Sequence, residues 1–168
     1  MLKNKDLVVV TINCFLPVTK IVVNQRLERL IDALDGLGKG EGLMKNEYEV
    51  LKNQYAEEVK QRWGNTAAYK EFEQRHTDYN KAAALLDAVF EEFAELNRSG
   101  ISPYSEPAKI MVEKLQQCIT NNSYTCTDEI LAGLGELYVA DERFKDNIDK
   151  HGESTADYIS RCIKHYCE

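Results

Sequence analysis

Cys126 is the side chain in this sequence that is best placed to do covalent chemistry. The pattern Thr125-x-x-Asp128 is typical of a helix start, and it predicts Thr125 as the N-cap with Cys126 in the first helical turn. Free backbone N–H groups and the helix dipole favour a thiolate there, and the thiolate is the nucleophilic form of cysteine. Asp128 and Glu129 oppose part of this effect. The alternative role for a single cysteine is that of a small hydrophobic residue.

Two glycines, Gly133 and Gly135, stand inside a stretch that otherwise has helical periodicity. Each glycine costs about 1 kcal/mol relative to alanine in a helix, so some contact should offset that cost. The close approach of a neighbouring helix is one explanation, and a ligand lying against the exposed backbone is the other. Tyr138 and Phe144 flank this point and could form part of the same wall.

Trp63, the only tryptophan, shares one face of a predicted helix with Tyr55 and Val59. It has two interpretations: core packing, or an aromatic wall of a ligand cleft shared with Tyr69 and Phe72 from the next helix. The chain has nine tyrosines. Several of them lie on apolar faces, which suits a cleft that is both apolar and able to form hydrogen bonds.

The histidines and the other cysteines do not predict a metal site or a cofactor. The five cysteines include no Cys-x-x-Cys pair, and the C-terminal set Cys162, His165 and Cys167 lacks a fourth ligand and the usual spacing. Haem would need a well-placed histidine in an apolar pocket. An odd number of cysteines without a disulfide pattern fits a reducing cytoplasm best.

The composition is that of one globular domain without a nucleic-acid or membrane surface. The chain has 168 residues, of which 43% are hydrophobic and 29% charged, and its formal net charge is −7. Basic residues are scattered among acidic ones, so no basic stripe exists for DNA or anionic lipid. The apolar stretch 7–23 is interrupted by polar residues and proline and is short for a membrane span. The expected ligand is neutral or mainly apolar.

The first 42 residues differ in pattern from the rest. Residues 7–23 are rich in Val, Ile and Thr, which favours a disordered tail, a lone hairpin on the core, or a contact with a second chain. Residues 24–37 have helical periodicity, which a run of glycines then interrupts. We therefore divide the chain into an extended or disordered segment 1–23, an amphipathic helix with a glycine-rich linker 24–42, and a main domain 43–168.

The main domain is predicted to be all-α, with six to eight helices. Residues suited to N-caps precede its helical patterns, namely Thr66, Ser105, Thr125, Asp141 and Ser154. The unequal lengths of these patterns do not suggest a four-helix bundle.

Several strings of the main domain together resemble one family. Residues 133–144 (Gly-Leu-Gly-Glu-Leu-Tyr-Val-Ala-Asp-Glu-Arg-Phe), Tyr55–Val59, Arg62-Trp63-Gly64 and Cys126 are similar to motifs of the TipA-type antibiotic-recognition domain. That domain is the drug-sensing half of certain MerR-family transcription activators. The resemblance covers roughly residues 45–168, the span of a single domain. It implies a globin-like arrangement of helices without haem.

The resemblance also implies a function. Cys126 falls on the cysteine that, in TipA-type domains, adds to a dehydroalanine of a bound thiopeptide. A soft thiol and a soft alkene need no general base if binding supplies their proximity. We therefore expect the effector domain of a multidrug-resistance regulator, which binds and sequesters thiopeptide-like or other large apolar antibiotics. Residues 1–23 are too few and too apolar for a winged helix-turn-helix, so we expect this chain itself not to bind DNA.

Two alternatives come from other classes of protein. One is a helical dimerisation module that forms a homodimer through residues 7–37. The other is a cysteine enzyme built on Cys126, which requires a histidine within hydrogen-bond reach of the sulfur. We expect a binding protein and no enzyme, because capture of a drug by a thiol does not imply turnover.

Overall fold

The structure, a computed structural model, describes residues 57, 60–61, 64–75 and 79–168. From residue 64 onward the described residues form six α-helices, and no described residue lies in a β-strand, which confirms the all-α prediction. The helices are α1 (Ala67–Arg75), α2 (Tyr79–Arg98), α3 (Glu106–Asn122), α4 (Asp128–Ala140), α5 (Glu142–Asp149) and α6 (Thr155–Cys167). The predictions for segments 1–23 and 24–42, for the interface 7–37 and for Trp63 lie outside the described residues.

Capping residues fix the positions of several helix ends. Thr66 accepts a hydrogen bond from the Tyr69 backbone N–H at 3.2 Å, and Asp141 accepts one from the Arg143 N–H at 3.0 Å, so both predicted N-caps are confirmed. Helix α2 ends at Arg98 and is followed by Gly100, whose φ of +68° favours glycine. The Gly100 and Ile101 N–H groups donate back to the carbonyls of residues 97 and 96, which closes the helix with a Schellman motif.

Two predicted caps have the right position but the wrong chemistry. Ser105 precedes α3, yet its hydroxyl donates to the Ser102 carbonyl at 2.7 Å and not to the helix. Ser154 precedes α6 with a φ of +60° and makes no side-chain cap bond. Instead, a carboxylate oxygen of Asp149 accepts from the Ala156 N–H at 2.8 Å. A side chain from the preceding helix thus performs the capping expected of the local serine.

The core is centred on the packing of α4 against α6, with α2 and α3 packed against each other and against α6. Leu131, Leu134, Ile159 and Ile163 on these two central helices have no measurable exposure. Burying each such aliphatic side chain contributes about 1.5–3 kcal/mol, so this pair of helices carries much of the apolar stabilisation. None of the helices described is both long and apolar enough to cross a membrane.

Candidate ligand-binding site

Cys126 lies in the loop between α3 and α4, and only 5% of it is exposed. Helix α4 begins at Asp128, and its N-cap is Thr127, whose hydroxyl accepts from the Ile130 N–H. The prediction that Thr125 caps this helix, with Cys126 in the first turn, is therefore wrong. The reason is tertiary: the Thr125 hydroxyl donates to Glu71 of α1 at 3.0 Å, which leaves the capping role to Thr127.

The backbone on both sides of the Cys126 thiol is held by side chains of α3. The Cys126 N–H donates to the Thr120 hydroxyl oxygen at 3.1 Å. The Gln116 amide donates to the Cys126 carbonyl at 3.0 Å and to an Asp128 carboxylate oxygen at 2.8 Å. These bonds join the end of α3 to the start of α4 and fix the direction in which the thiol leaves the backbone.

Helix α1 attaches to the same loop through a charged pair. The Glu71 carboxylate accepts from the Thr125 N–H at 3.1 Å and from the Thr125 hydroxyl, while Arg75 pairs with Glu71 and donates to the Thr120 carbonyl. Burial acts to raise the pKa of Glu71, but the hydrogen bonds from Thr125 and the Arg75 charge outweigh it and hold the pKa below its ordinary value. The ionised carboxylate therefore stabilises this contact.

Two predicted site residues, Tyr69 and Phe72, lie on α1. Phe72 is 4% exposed, Ala68 is buried beside it on the same helix, and Tyr69 is half-buried against the core. Helix α1 thus docks with one apolar face and one polar contact, and it carries both aromatic residues on the element that contacts the Cys126 loop.

Gly135 lies where α4 and α6 approach each other closely. A Cβ at this position would be 3.0 Å from Cγ2 and 3.2 Å from Cβ of Ile163. The close-approach explanation therefore accounts for Gly135 without a ligand. Gly133 is half-buried on the same helix, and a ligand contact at either glycine stays a prediction.

Tyr138 and Phe144 belong to an aromatic cluster in the core, together with Phe90. The Tyr138 and Phe144 ring centroids are 6.2 Å apart, and Phe90 meets Tyr138 edge to face at 5.8 Å. All three side chains are at most 1% exposed. A ligand could contact Tyr138 or Phe144 only after some of this packing opens.

The three other cysteines in the described part of the chain are poor nucleophiles at neutral pH. Burial raises the pKa of the Cys162 thiol to about 11, and it also raises the pKa values of Cys118 and Cys167. The thiolate is the reactive form, so these three thiols react slowly with soft electrophiles. Within the described ranges, no group of three or more potential ligands is arranged to hold a metal ion.

The sequence did not reveal the residues that position the cysteine. The Glu71 and Arg75 pair has the spacing of an ordinary helical ion pair, but their partners lie 54 and 45 residues further along the chain. Gln116 and Thr120 share a face of α3, and nothing in their spacing distinguishes them from surface polar residues. Only the packing of α1 and α3 around the loop brings these groups together.

The described residues thus form an all-helical core with the Cys126 thiol in a loop that side chains of two helices hold in place. Residues 55–166 match the TipAS antibiotic-recognition domain, and the chain belongs to that family.

Relatives of known type agree with this assignment. The chain is 37% identical over 116 residues to the HTH-type transcriptional activator TipA of Streptomyces coelicolor, covering 66% of this chain and 46% of that protein. It is 30% identical over 155 residues to the HTH-type transcriptional activator mta of Bacillus subtilis, covering 86% of this chain and 59% of that protein. The chain thus spans about half the length of these relatives.

A solved structure supports the fold as well. The TipAS protein of Streptomyces lividans, in complex with the thiopeptide antibiotic nosiheptide, superposes on this chain with a TM-score of 0.62 and 35% sequence identity. The match covers 68% of this chain and 84% of that one.

Proposed function

We propose that this chain is the ligand-binding effector domain of a MerR-like transcription regulator and that it binds and sequesters thiopeptide antibiotics. The similarity to TipAS solved with nosiheptide carries the proposal, because it covers most of that ligand-binding chain at 35% identity. Similarity to two HTH-type transcriptional activators supports the regulatory context. The division at residues 23 and 42 belongs to the same proposal, with the binding domain in 43–168.

Cys126 is the proposed point of covalent capture. Its thiolate would add to the terminal CH₂ of a dehydroalanine: a C–S bond forms, the C=C π bond breaks, and the α-carbon takes a proton from solvent. Nothing leaves, so the adduct mass is the sum of protein and drug, and the protein is not regenerated. We therefore propose a binding protein without turnover.

Access to the thiol requires a local opening, because Cys126 is 5% exposed. Helix α1 is the element whose displacement would provide it, since Glu71 contacts Thr125 within the loop and Arg75 contacts Thr120 near the end of α3. The aromatic side chains of α1, Tyr69 and Phe72, would then form part of the cleft wall together with Trp63. Tyr138, Phe144, Gly133 and Gly135 remain proposed contacts on α4 and α5.

Intact-mass spectrometry after incubation with a dehydroalanine-bearing thiopeptide tests the capture. One adduct is expected in the wild type and in Cys118→Ser, and none in Cys126→Ser. Cys118→Ser is the matched control because Cys118 is half-buried on the neighbouring α3. An adduct that persists in Cys126→Ser contradicts the assignment, whereas reversible binding without any adduct leaves a drug sensor that does not react.

The remaining parts of the proposal concern context. The chain acts in the cytoplasm, makes no contact with DNA or membrane itself, and uses no cofactor. A homodimer through residues 7–37 concerns a different part of the chain and is compatible with drug binding.

A further inference from the structure

Asn147 on α5 has a buried side-chain amide without a hydrogen-bond partner. The residue is 2% exposed, and neither Nδ2 nor Oδ1 forms a hydrogen bond. In the part of the chain that the structure describes, the Tyr158 hydroxyl is the other buried side-chain atom in this state. Such an amide destabilises the folded protein, because it gives up its hydrogen bonds to water and gains none in return.

The surroundings of Asn147 would accept an apolar residue. Phe144, one helical turn before it, and Ile148, the next residue, are both fully buried. Leucine has nearly the shape of asparagine and would remove the unpaired polar atoms. Leucine at this position would make the folded protein more stable than asparagine does. The unpaired amide therefore points to a hydrogen-bonding partner from outside the folded chain.

Tyr158 differs from Asn147 because it has one unpaired polar atom, next to a thiol, whereas Asn147 has both a donor and an acceptor unpaired. Burial and the nearby Cys162 thiol raise the pKa of Tyr158 to about 12. Cys162 lies one turn further along the same helix. Asn147 is the stronger candidate for a residue that forms hydrogen bonds to a ligand.

We propose that Asn147 recognises the antibiotic, its amide pairing with a ligand group that presents a hydrogen-bond donor and an acceptor side by side. A backbone amide of a peptide antibiotic is such a group. Asn147 lies one turn from Phe144, which contacts Tyr138, so the site combines aromatic faces with one polar pair. This inference rests on the proposed function and names the polar contact within it.

Calorimetric titration with nosiheptide tests the assignment, in a Cys126→Ser background so that adduct formation does not obscure the equilibrium. Asn147→Leu should weaken binding about tenfold or more, while the Tm of the free protein stays the same or rises by roughly 2–4 °C. Tyr158→Phe, which removes the other unpaired atom, should leave the affinity within about twofold of the parent. Parent-like affinity in Asn147→Leu overturns the role of Asn147 and leaves the proposed function intact. No nosiheptide binding by wild type or parent overturns both.

A second measurement decides the matter if Asn147→Leu does not fold. In the ¹⁵N spectrum of the wild-type protein, the side-chain NH₂ pair of Asn147 should shift downfield and exchange more slowly when nosiheptide is added. An NH₂ pair that keeps its shift and exchange rate in the saturated complex overturns the inference, because the amide then serves only the fold.

Discussion

Removing the Glu71 carboxylate should expose the Cys126 thiol. In the folded state Glu71 accepts two hydrogen bonds from Thr125, the residue before the cysteine, and pairs with Arg75. Glu71→Ala removes all three contacts and leaves the Thr125 N–H and hydroxyl to solvent. Helix α1 then keeps the apolar contacts of Ala68 and Phe72 and the Arg75 bond to Thr120.

The size of the effect follows from the exposure of the pair. Hydrogen bonds to a charged group contribute about 1.5–3 kcal/mol each when well shielded. The Glu71 side chain is 33% exposed and that of Arg75 35%, so competition from water reduces the total to about 1–2 kcal/mol. A loss of about 1.4 kcal/mol raises the undocked population of α1 tenfold.

Alkylation of Cys126 measures that population, because a thiol that is 5% exposed reacts only from an open state. With a small alkylating agent at neutral pH and peptide mapping of the Cys126 site, labelling should be about tenfold faster in Glu71→Ala than in the wild type. Glu73→Ala is the matched control, since Glu73 is exposed on the same helix. Equal labelling rates in the two variants would refute the idea that α1 governs access to the thiol.

Two further predictions concern pH and packing. The Glu71 pKa is lowered in the folded state, so the Glu71 contribution to α1 docking is present above the ordinary value of 4.5 and is lost as the pH falls through the lower folded pKa. The hydrogen-exchange protection factors of α1 should therefore decrease only below about pH 4.5 in the wild type. Glu71→Gln should not show this step. Gly135→Val should lower the free energy of unfolding by about 1–3 kcal/mol, because the added valine side chain meets Ile163. In thermal melts, the double variant with Ile163→Ala should lose less stability than the sum of the losses in the two single variants. Additive losses would contradict the contact.

The sequence predicts those parts of the fold that depend on contacts between residues close together in the chain. Thr66 and Asp141 act within one helical turn, and their caps were predicted correctly. Thr125 has the same local pattern, but its hydroxyl bonds to Glu71, a residue 54 positions away. A helix cap competes with any tertiary partner that reaches the same hydroxyl, and a single sequence does not contain that partner's position.

The same distinction explains what the sequence says about the site. The type of Cys126 and its place in a family motif are local facts, and they were enough to identify it as the candidate nucleophile. The position of its loop depends on groups from three elements: Gln116 and Thr120 on α3, Glu71 on α1 and the Thr127 cap of α4. Gln116 and Thr120 bond to the backbone of Cys126 itself, while α1 is attached through one apolar face and the partly exposed Glu71 contact. If the proposed capture takes place, we expect the loop to stay ordered when α1 moves away, so that the drug meets a thiol that is already oriented. We then expect the free energy of opening α1 to limit the capture.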